Sequence, residues 1–401
     1  MSETVMWLAA AGLAVAAAGC ASSAAGRSGR PLLADDFASD PLAAGWLPFG
    51  PGAYGKNLLW SQGGPGGGRC LAVVAYPEIG PGGGWESPPF PVADRRYYRA
   101  TFRARTSAPA YAAALFWDRY GALAEGDFYT ALAPADGWAA RTFCFRTKFP
   151  GATASVAFQT MTREPLAVGD VEVVPAARDE VLAWADAVWA AIPPAAYEPP
   201  EDAGRLLPKT IRRLREGRTV RAVLVGDSIA NDLSNAPWDL LLTRAYPKAD
   251  VDVRFTGRGG TGWLRHRRQV GERILAHRPD LVVLLAISND PERIGETLGP
   301  MIDAARQAPH PPEFLLVSPH LATWGKHAAD AGARHRAALG EVAREKRVEF
   351  FDLLDVWNDY LARSGKPVAW LLRDEVHMNE RGRQVTARAL AAHLARAAAE
   401  R

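Results

Sequence analysis

Histidine is missing from the first 265 residues: all eight lie between His266 and His393. Any chemistry that needs an imidazole therefore belongs to the second half of the chain. Charge of one sign is also scarce. The net charge of the 401 residues is +3 and no block of Lys or Arg occurs, which argues against nucleic acid as a partner. No apolar run reaches the roughly 20 residues that a membrane-spanning helix needs. The longest, Val5 to Gly19, stops at fifteen. Cysteine is rare, with Cys20, Cys70 and Cys144 only, so no disulfide framework is available. Cys70 and Cys144 each sit in a strand-like segment, where they could pair or be small buried residues. A length of 401 residues exceeds one ordinary core and points to two domains.

The run from Val5 has the length of the apolar region of a secretory signal, although Met1-Ser-Glu-Thr carries no Lys or Arg. Its end, Ala17-Ala18-Gly19-Cys20, resembles the lipobox of bacterial lipoproteins. The resemblance implies a signal peptide over 1–19 and lipidation of Cys20. The protein would then be exported to the cell envelope and held to a membrane by that lipid anchor alone. Ala21 to Arg30 is small and polar and reads as a tether, placed at 20–31.

Residues 32–176 lack helical periodicity. Tyr97–Arg105, Ala140–Thr147 and Ala152–Thr160 alternate apolar and polar residues, with turn residues between them, which predicts an all-β sandwich. Leu115-Phe-Trp-Asp-Arg-Tyr-Gly, Gly137-Trp138 and Val168-Gly-Asp-Val-Glu-Val-Val follow the spacing of jelly-roll carbohydrate-binding modules, which this region resembles. Trp46, Trp60, Trp85, Trp117 and Trp138 suit either sugar stacking or a sandwich core. Residues 177–217 read as a helical linker, with a hinge at Pro199-Pro-Glu-Asp-Ala-Gly. From 218 to 401 short apolar strands alternate with amphipathic helices, the pattern of a parallel sheet covered on both faces. Ligands of such sheets bind beyond the carboxyl ends of the strands.

The chemistry-bearing residues fall at those ends. Val223-Leu-Val-Gly-Asp-Ser228 runs from a strand into a helix, which exposes the Ser228 hydroxyl and places its N–H near a helix N-terminus. Asp374-Glu-Val-His377 precedes the last helix and offers a base together with an acceptor to orient it. Read singly, each segment is equally a helix cap. With both in view, the C-terminal half resembles the SGNH or GDSL hydrolases, whose fold is a three-layer α/β/α sandwich. The resemblance implies Ser228 as nucleophile, His377 as general base and Asp374 as its carboxylate. The oxyanion donors would be the Ser228 N–H, Gly262 and Asn289. Gly259 and Gly260 are alternatives to Gly262 within Gly257-Arg-Gly-Gly-Thr-Gly262. Ile287 stands where the family usually has the glycine of Gly-x-Asn-Asp, a departure in loop shape rather than in the donor.

Asp227, Trp263, His320 and Trp324 are expected to border the substrate. Asn231 and Asp232, a turn beyond Ser228, read better as polar first-turn residues. A lipase-type nucleophile elbow would need glycine where Ala230 stands. His320 and His327 lack a third ligand, so neither metal nor other cofactor is expected. The combination implies an ester hydrolase acting on a small-molecule or polysaccharide ester, foremost a glycan deacetylase. The rivals are a lipid or thioester hydrolase or acyltransferase on the same triad, and an inert glycan-binding protein.

Overall fold

The computed structural model describes residues 30–50, 52–75, 83–118, 126–148, 151–160, 162–194, 196–285, 293–323 and 329–396. Cys20, Asn289, Trp324 and His327 lie outside them.

The N-terminal part is built from twelve strands among the described residues. These are β1 (Leu33–Asp35), β2 (Leu47–Phe49), β3 (Leu58–Gln62), β4 (Arg69–Val73), β5 (Gly84–Glu86), β6 (Phe90–Pro91), β7 (Tyr97–Thr106), β8 (Ala110–Trp117), β9 (Phe128–Leu132), β10 (Ala135–Arg146), β11 (Thr153–Thr160) and β12 (Leu166–Ala176). They form two antiparallel sheets, ordered β10-β7-β12-β4-β3 with β1 on β12, and β2-β5-β11-β8-β9 with β6 on β11. Alternation along β7 puts Tyr98, Ala100, Phe102 and Ala104 inside, where they pack with Phe143, Phe145 and Phe158 of the other strands. Each such aromatic ring contributes about 1.5–3 kcal/mol by leaving water. Trp46 and Trp85 belong to this core, whereas Trp60, Trp117 and Trp138 are partly exposed. Cys70 and Cys144 are free and buried. Their strands, β4 and β10, are separated in one sheet by β12 and β7. Three strand spacings come to about 14 Å, twice what a disulfide spans.

The C-terminal part carries a five-stranded parallel sheet ordered β14-β13-β15-β16-β17, formed by β13 (Thr219–Gly226), β14 (Asp250–Phe255), β15 (Leu281–Leu285), β16 (Glu313–Val317) and β17 (Glu349–Phe351). Alternate residues of β13 serve two cores, which is why its sequence is continuously apolar. Val220, Ala222 and Leu224 pack under α2 (Pro208–Arg215), α3 (Ser228–Asn235), α4 (Trp238–Leu242), α8 (Leu353–Ser364) and α9 (Glu380–Ala395). Val223 and Val225 pack under α5 (Trp263–Arg268), α6 (Ile294–Arg306) and α7 (Ala329–Lys346). The result is the three-layer α/β/α fold, preceded by antiparallel sheets.

Residues 177–217 are not a loose connection. Helix α1 (Arg178–Ala190) packs against α9, while Ile192, Leu207, Ile211 and Leu214 enter the same core as β13. The segment expected to be a hinge is pinned by Glu349, whose carboxylate accepts the Gly204 and Leu206 N–H groups at 2.8 and 3.0 Å. The two sheet systems accordingly lie within one compact unit, Pro31–Arg401.

Their junction is polar and buried. Arg146, at the end of β10, pairs with Asp239 of α4, which also accepts the Tyr97 hydroxyl at 2.6 Å. Lys148 donates to Asn231, Ser234 and Asn235 of α3 at 3.2, 2.8 and 2.7 Å. Three oxygen acceptors use all three ammonium hydrogens, although burial pushes this lysine well below its ordinary pKa. Among the described residues no helix is long and apolar enough to cross a membrane.

Candidate active site

Strand β13 ends at Gly226, where only glycine fits. Its φ is +155°, and a Cβ there would come within 1.7 Å of the Leu285 carbonyl oxygen on β15. That close approach lets the chain turn between two strands and start α3 at once. Asp227 caps α3, its carboxylate accepting the Ile229 N–H at 3.0 Å. It is 2% exposed, so its visible role is the cap rather than contact with a ligand. Ser228 follows as the first helical residue, at the positive end of the helix dipole.

The loop between Leu372 and α9 brings the partners. His377 Nε2 lies 2.8 Å from Ser228 Oγ, and its Nδ1 lies 2.8 Å from Asp374 Oδ2. Asp374 also accepts the backbone N–H groups of Val376 and His377, each at 2.8 Å. Burial would raise the pKa of this carboxyl. The hydrogen bonds from the His377 imidazole and N–H, with the Arg373 guanidinium, overcome that and hold it well below the usual carboxylate range. Ionised Asp374 is thus an acceptor fixing the proton of His377 on Nδ1, which leaves Nε2 to accept from the serine.

Other expected residues fall differently. Among the glycines after β14, Gly259 borders Ser228: a Cβ built there would lie 3.8 Å from Ser228 Cβ. Gly262 instead caps α5. Trp263, expected at the pocket, is fully buried with Val223, Leu284 and Leu298 under the sheet. The next residue after a glycine-rich turn can point into the layer as easily as out of it, and here the apolar layer captured the indole. His320, also expected to border the substrate, lies inside as well. It is 2% exposed and packs against Trp357, with ring centroids 4.6 Å apart and the planes tilted by 57°. Its Nε2–H donates to the Val376 carbonyl at 2.7 Å, so it supports the loop that carries His377 from behind.

Burial pushes His320 down to about 4. Its ordinary value is about 6.5, so the unfolded chain takes up a proton between those limits while the folded protein does not. Stability should therefore be complete above about pH 6.5 and decline toward pH 4, by up to roughly 3 kcal/mol from this group. Urea midpoints across that range should fall less steeply for His320→Gln than for the parent. Equal slopes would show that His320 titrates normally.

Asp232 does more than a polar first-turn residue would. It is buried, and its two oxygens hold Arg373 Nη1 at 2.6 Å and the Met378 N–H at 2.9 Å, the two ends of the His377 loop. The four-residue spacing from Ser228 was the only signal. Arg373 gave none beyond its place beside Asp374. Among the described residues no group of three or more His, Cys, Asp or Glu could hold a metal ion.

Residues 224–385 match the model of the GDSL-like Lipase/Acylhydrolase family, a span containing Ser228, Asp374 and His377. No curated protein matches. Similar solved structures include an acetylxylan esterase from Geobacillus stearothermophilus, at 19% identity over 44% of this chain and 94% of that one, with a TM-score of 0.36. Another is a GDSL-like lipase from Parabacteroides merdae, described as putative, at 15% identity over 44% of this chain and 96% of that one, with a TM-score of 0.37. The C-terminal part of this protein is a carboxylic ester hydrolase domain, similar over residues 224–385 to the GDSL-like lipases and acylhydrolases.

Proposed function

We propose that the protein removes acetyl groups from a polysaccharide through the triad Ser228, His377 and Asp374. The observation that carries the reading is the unbroken chain from Ser228 Oγ through both ring nitrogens of His377 to Asp374, at 2.8 Å for each link. Ser228 Oγ attacks the acetyl carbonyl while His377 Nε2 takes its proton. The imidazolium formed is stabilised by Asp374 and returns the proton to the departing sugar oxygen. Water then attacks the acetyl-serine with His377 again as base, releasing acetate and restoring the hydroxyl. Developing negative charge on the carbonyl oxygen is met by the Ser228 N–H at the start of α3 and by the Gly259 backbone beside it. Asn289 is assigned the side-chain donor from sequence. Each such donor is worth about 10²–10³ in turnover.

Two features support a glycan ester over a long acyl chain. The hydrolase is fused without a hinge to a two-sheet β-sandwich with partly exposed Trp60, Trp117 and Trp138. A lipid-hydrolysing site would be expected to have an apolar groove at Trp263, and that indole is spent inside the core. The run before Cys20 supports export and anchoring by lipidation, which would bring the enzyme to extracellular or periplasmic glycans.

Acetate release from acetylated xylan, chitin and peptidoglycan fragments should be set against cleavage of p-nitrophenyl esters of two to twelve carbons. Acetate from at least one glycan, with turnover falling as the acyl chain lengthens, is the expected result. Preference for the long esters with no acetate from any glycan would replace this reading with a lipid hydrolase.

A further inference from the structure

The loop that carries the acid and base is held from two sides. On the hydrolase side Asp232 clamps Arg373 and Met378, and Arg373 closes the loop on itself through its N–H to the His377 carbonyl at 2.9 Å. On the other side lies the β-sandwich. Tyr111, on β8, donates its hydroxyl to the Arg373 carbonyl at 2.5 Å, and the ring of Tyr129 on β9 lies 5.5 Å from the Arg373 guanidinium. Burial and the nearby Asp374 carboxylate raise the Tyr111 pKa, so its hydroxyl remains a donor at every working pH. The same sandwich grips the nucleophile helix: the Asp127 carbonyl accepts from Asn231 and Asn235 at 2.8 and 2.9 Å, and Lys148 reaches α3 as described. The one sandwich thus touches both the helix that bears Ser228 and the loop that bears His377, which lie 149 residues apart in sequence.

We propose that the β-sandwich is a working part of the catalytic centre, with Tyr111 as a positioning residue that sets the Asp374–His377 loop in register with Ser228. The inference rests on the triad assigned above. It differs from a glycan-binding module in its consequence, because loss of Tyr111's hydroxyl acts on turnover and not on substrate affinity. A hydroxyl nucleophile and its base tolerate little misplacement, and an error of about 1 Å costs up to about 10² in rate.

The test is Tyr111→Phe in the full chain, which keeps the buried ring and removes only the donor. At a temperature well below unfolding, kcat on p-nitrophenyl acetate should fall about tenfold with KM within about twofold of the parent. The rate at which a p-nitrophenyl phosphonate modifies Ser228 should fall by the same factor, since it reads nucleophile and base alignment without the substrate. Tyr129→Leu, which removes the ring from Arg373 and leaves the Tyr111 hydroxyl, should lower both rates in the same direction. Unchanged kcat and phosphonylation in Tyr111→Phe overturn the proposal, as does a change confined to KM. Ser228→Ala separates the two levels of inference. If it is inactive while Tyr111→Phe is fully active, only the positioning role falls; if it retains parental activity, the triad itself falls.

Discussion

Ser228→Ala should lower ester hydrolysis by about 10⁴-fold or more, with the folded state intact, because the acyl-enzyme can no longer form. The Ser228 side chain is half-buried and its hydroxyl bonds to His377, and alanine keeps its Cβ in place, so the thermal midpoint should move little. Asp374→Asn is the more informative companion. It preserves shape but offers an amide to His377 Nδ1, which favours the tautomer with the proton on Nε2, facing the serine. A loss of about 10⁴ in kcat is expected there too. The two losses should not add: Ser228→Ala with Asp374→Asn should be no slower than Ser228→Ala alone, since residues acting as a unit are removed together. Additive losses, or a Ser228→Ala enzyme within tenfold of the parent, would mean that the hydrolysis does not pass through this serine.

The second large effect concerns stability. Asp239→Ala should destabilise the protein by about 3–5 kcal/mol, because it strands the Arg146 guanidinium in the junction between the sandwich and α3–α4. Both side chains are almost wholly inaccessible, at 8% and 5% exposure. Arg146 would keep the Ser234 carbonyl at 2.7 Å and the Tyr97 hydroxyl at 3.0 Å, neither of which neutralises its charge. A domain of ordinary stability has about 5–15 kcal/mol in total, so the loss is a large fraction. Urea unfolding followed by tryptophan fluorescence should show a midpoint lowered accordingly. Replacing Arg146 and Asp239 together by Met and Leu should recover much of the loss, since an apolar pair leaves no buried charge. A loss below about 1 kcal/mol in Asp239→Ala would show that water reaches the guanidinium in solution.

The architecture was legible where local pattern determines structure. Continuous apolar runs such as Leu281–Leu285 announce strands covered on both faces, and alternation such as Tyr97–Thr106 announces a sandwich strand with one inner face. The Gly-Asp-Ser228 turn and the Asp374–His377 pair, proposed here as the triad, were legible for a related reason: each is compressed into a few residues at the end of such an element. Spacing did not tell which glycine of Gly257–Gly262 faces Ser228, because a glycine-rich turn permits several paths and only packing selects one. Trp263 and His320 were read as pocket residues since polar-tipped aromatic side chains suit either a rim or a core. The surrounding layers decided for the core.

By itself, then, the sequence determined the order of the elements, the three-layer hydrolase half and the residues proposed to perform acyl transfer. Tertiary structure alone decided what holds them in register. Asp232 meets Arg373 across 141 residues and Tyr111 meets the Arg373 carbonyl across 262, and no periodicity or motif encodes a pairing at that range. The physical reason is that a buried charge or hydroxyl needs some partner, and which one it finds depends on the folded surface brought against it. The same dependence turned a segment that reads as a hinged linker into part of the core. It also set a domain that reads as a separate sandwich against the loop that carries His377.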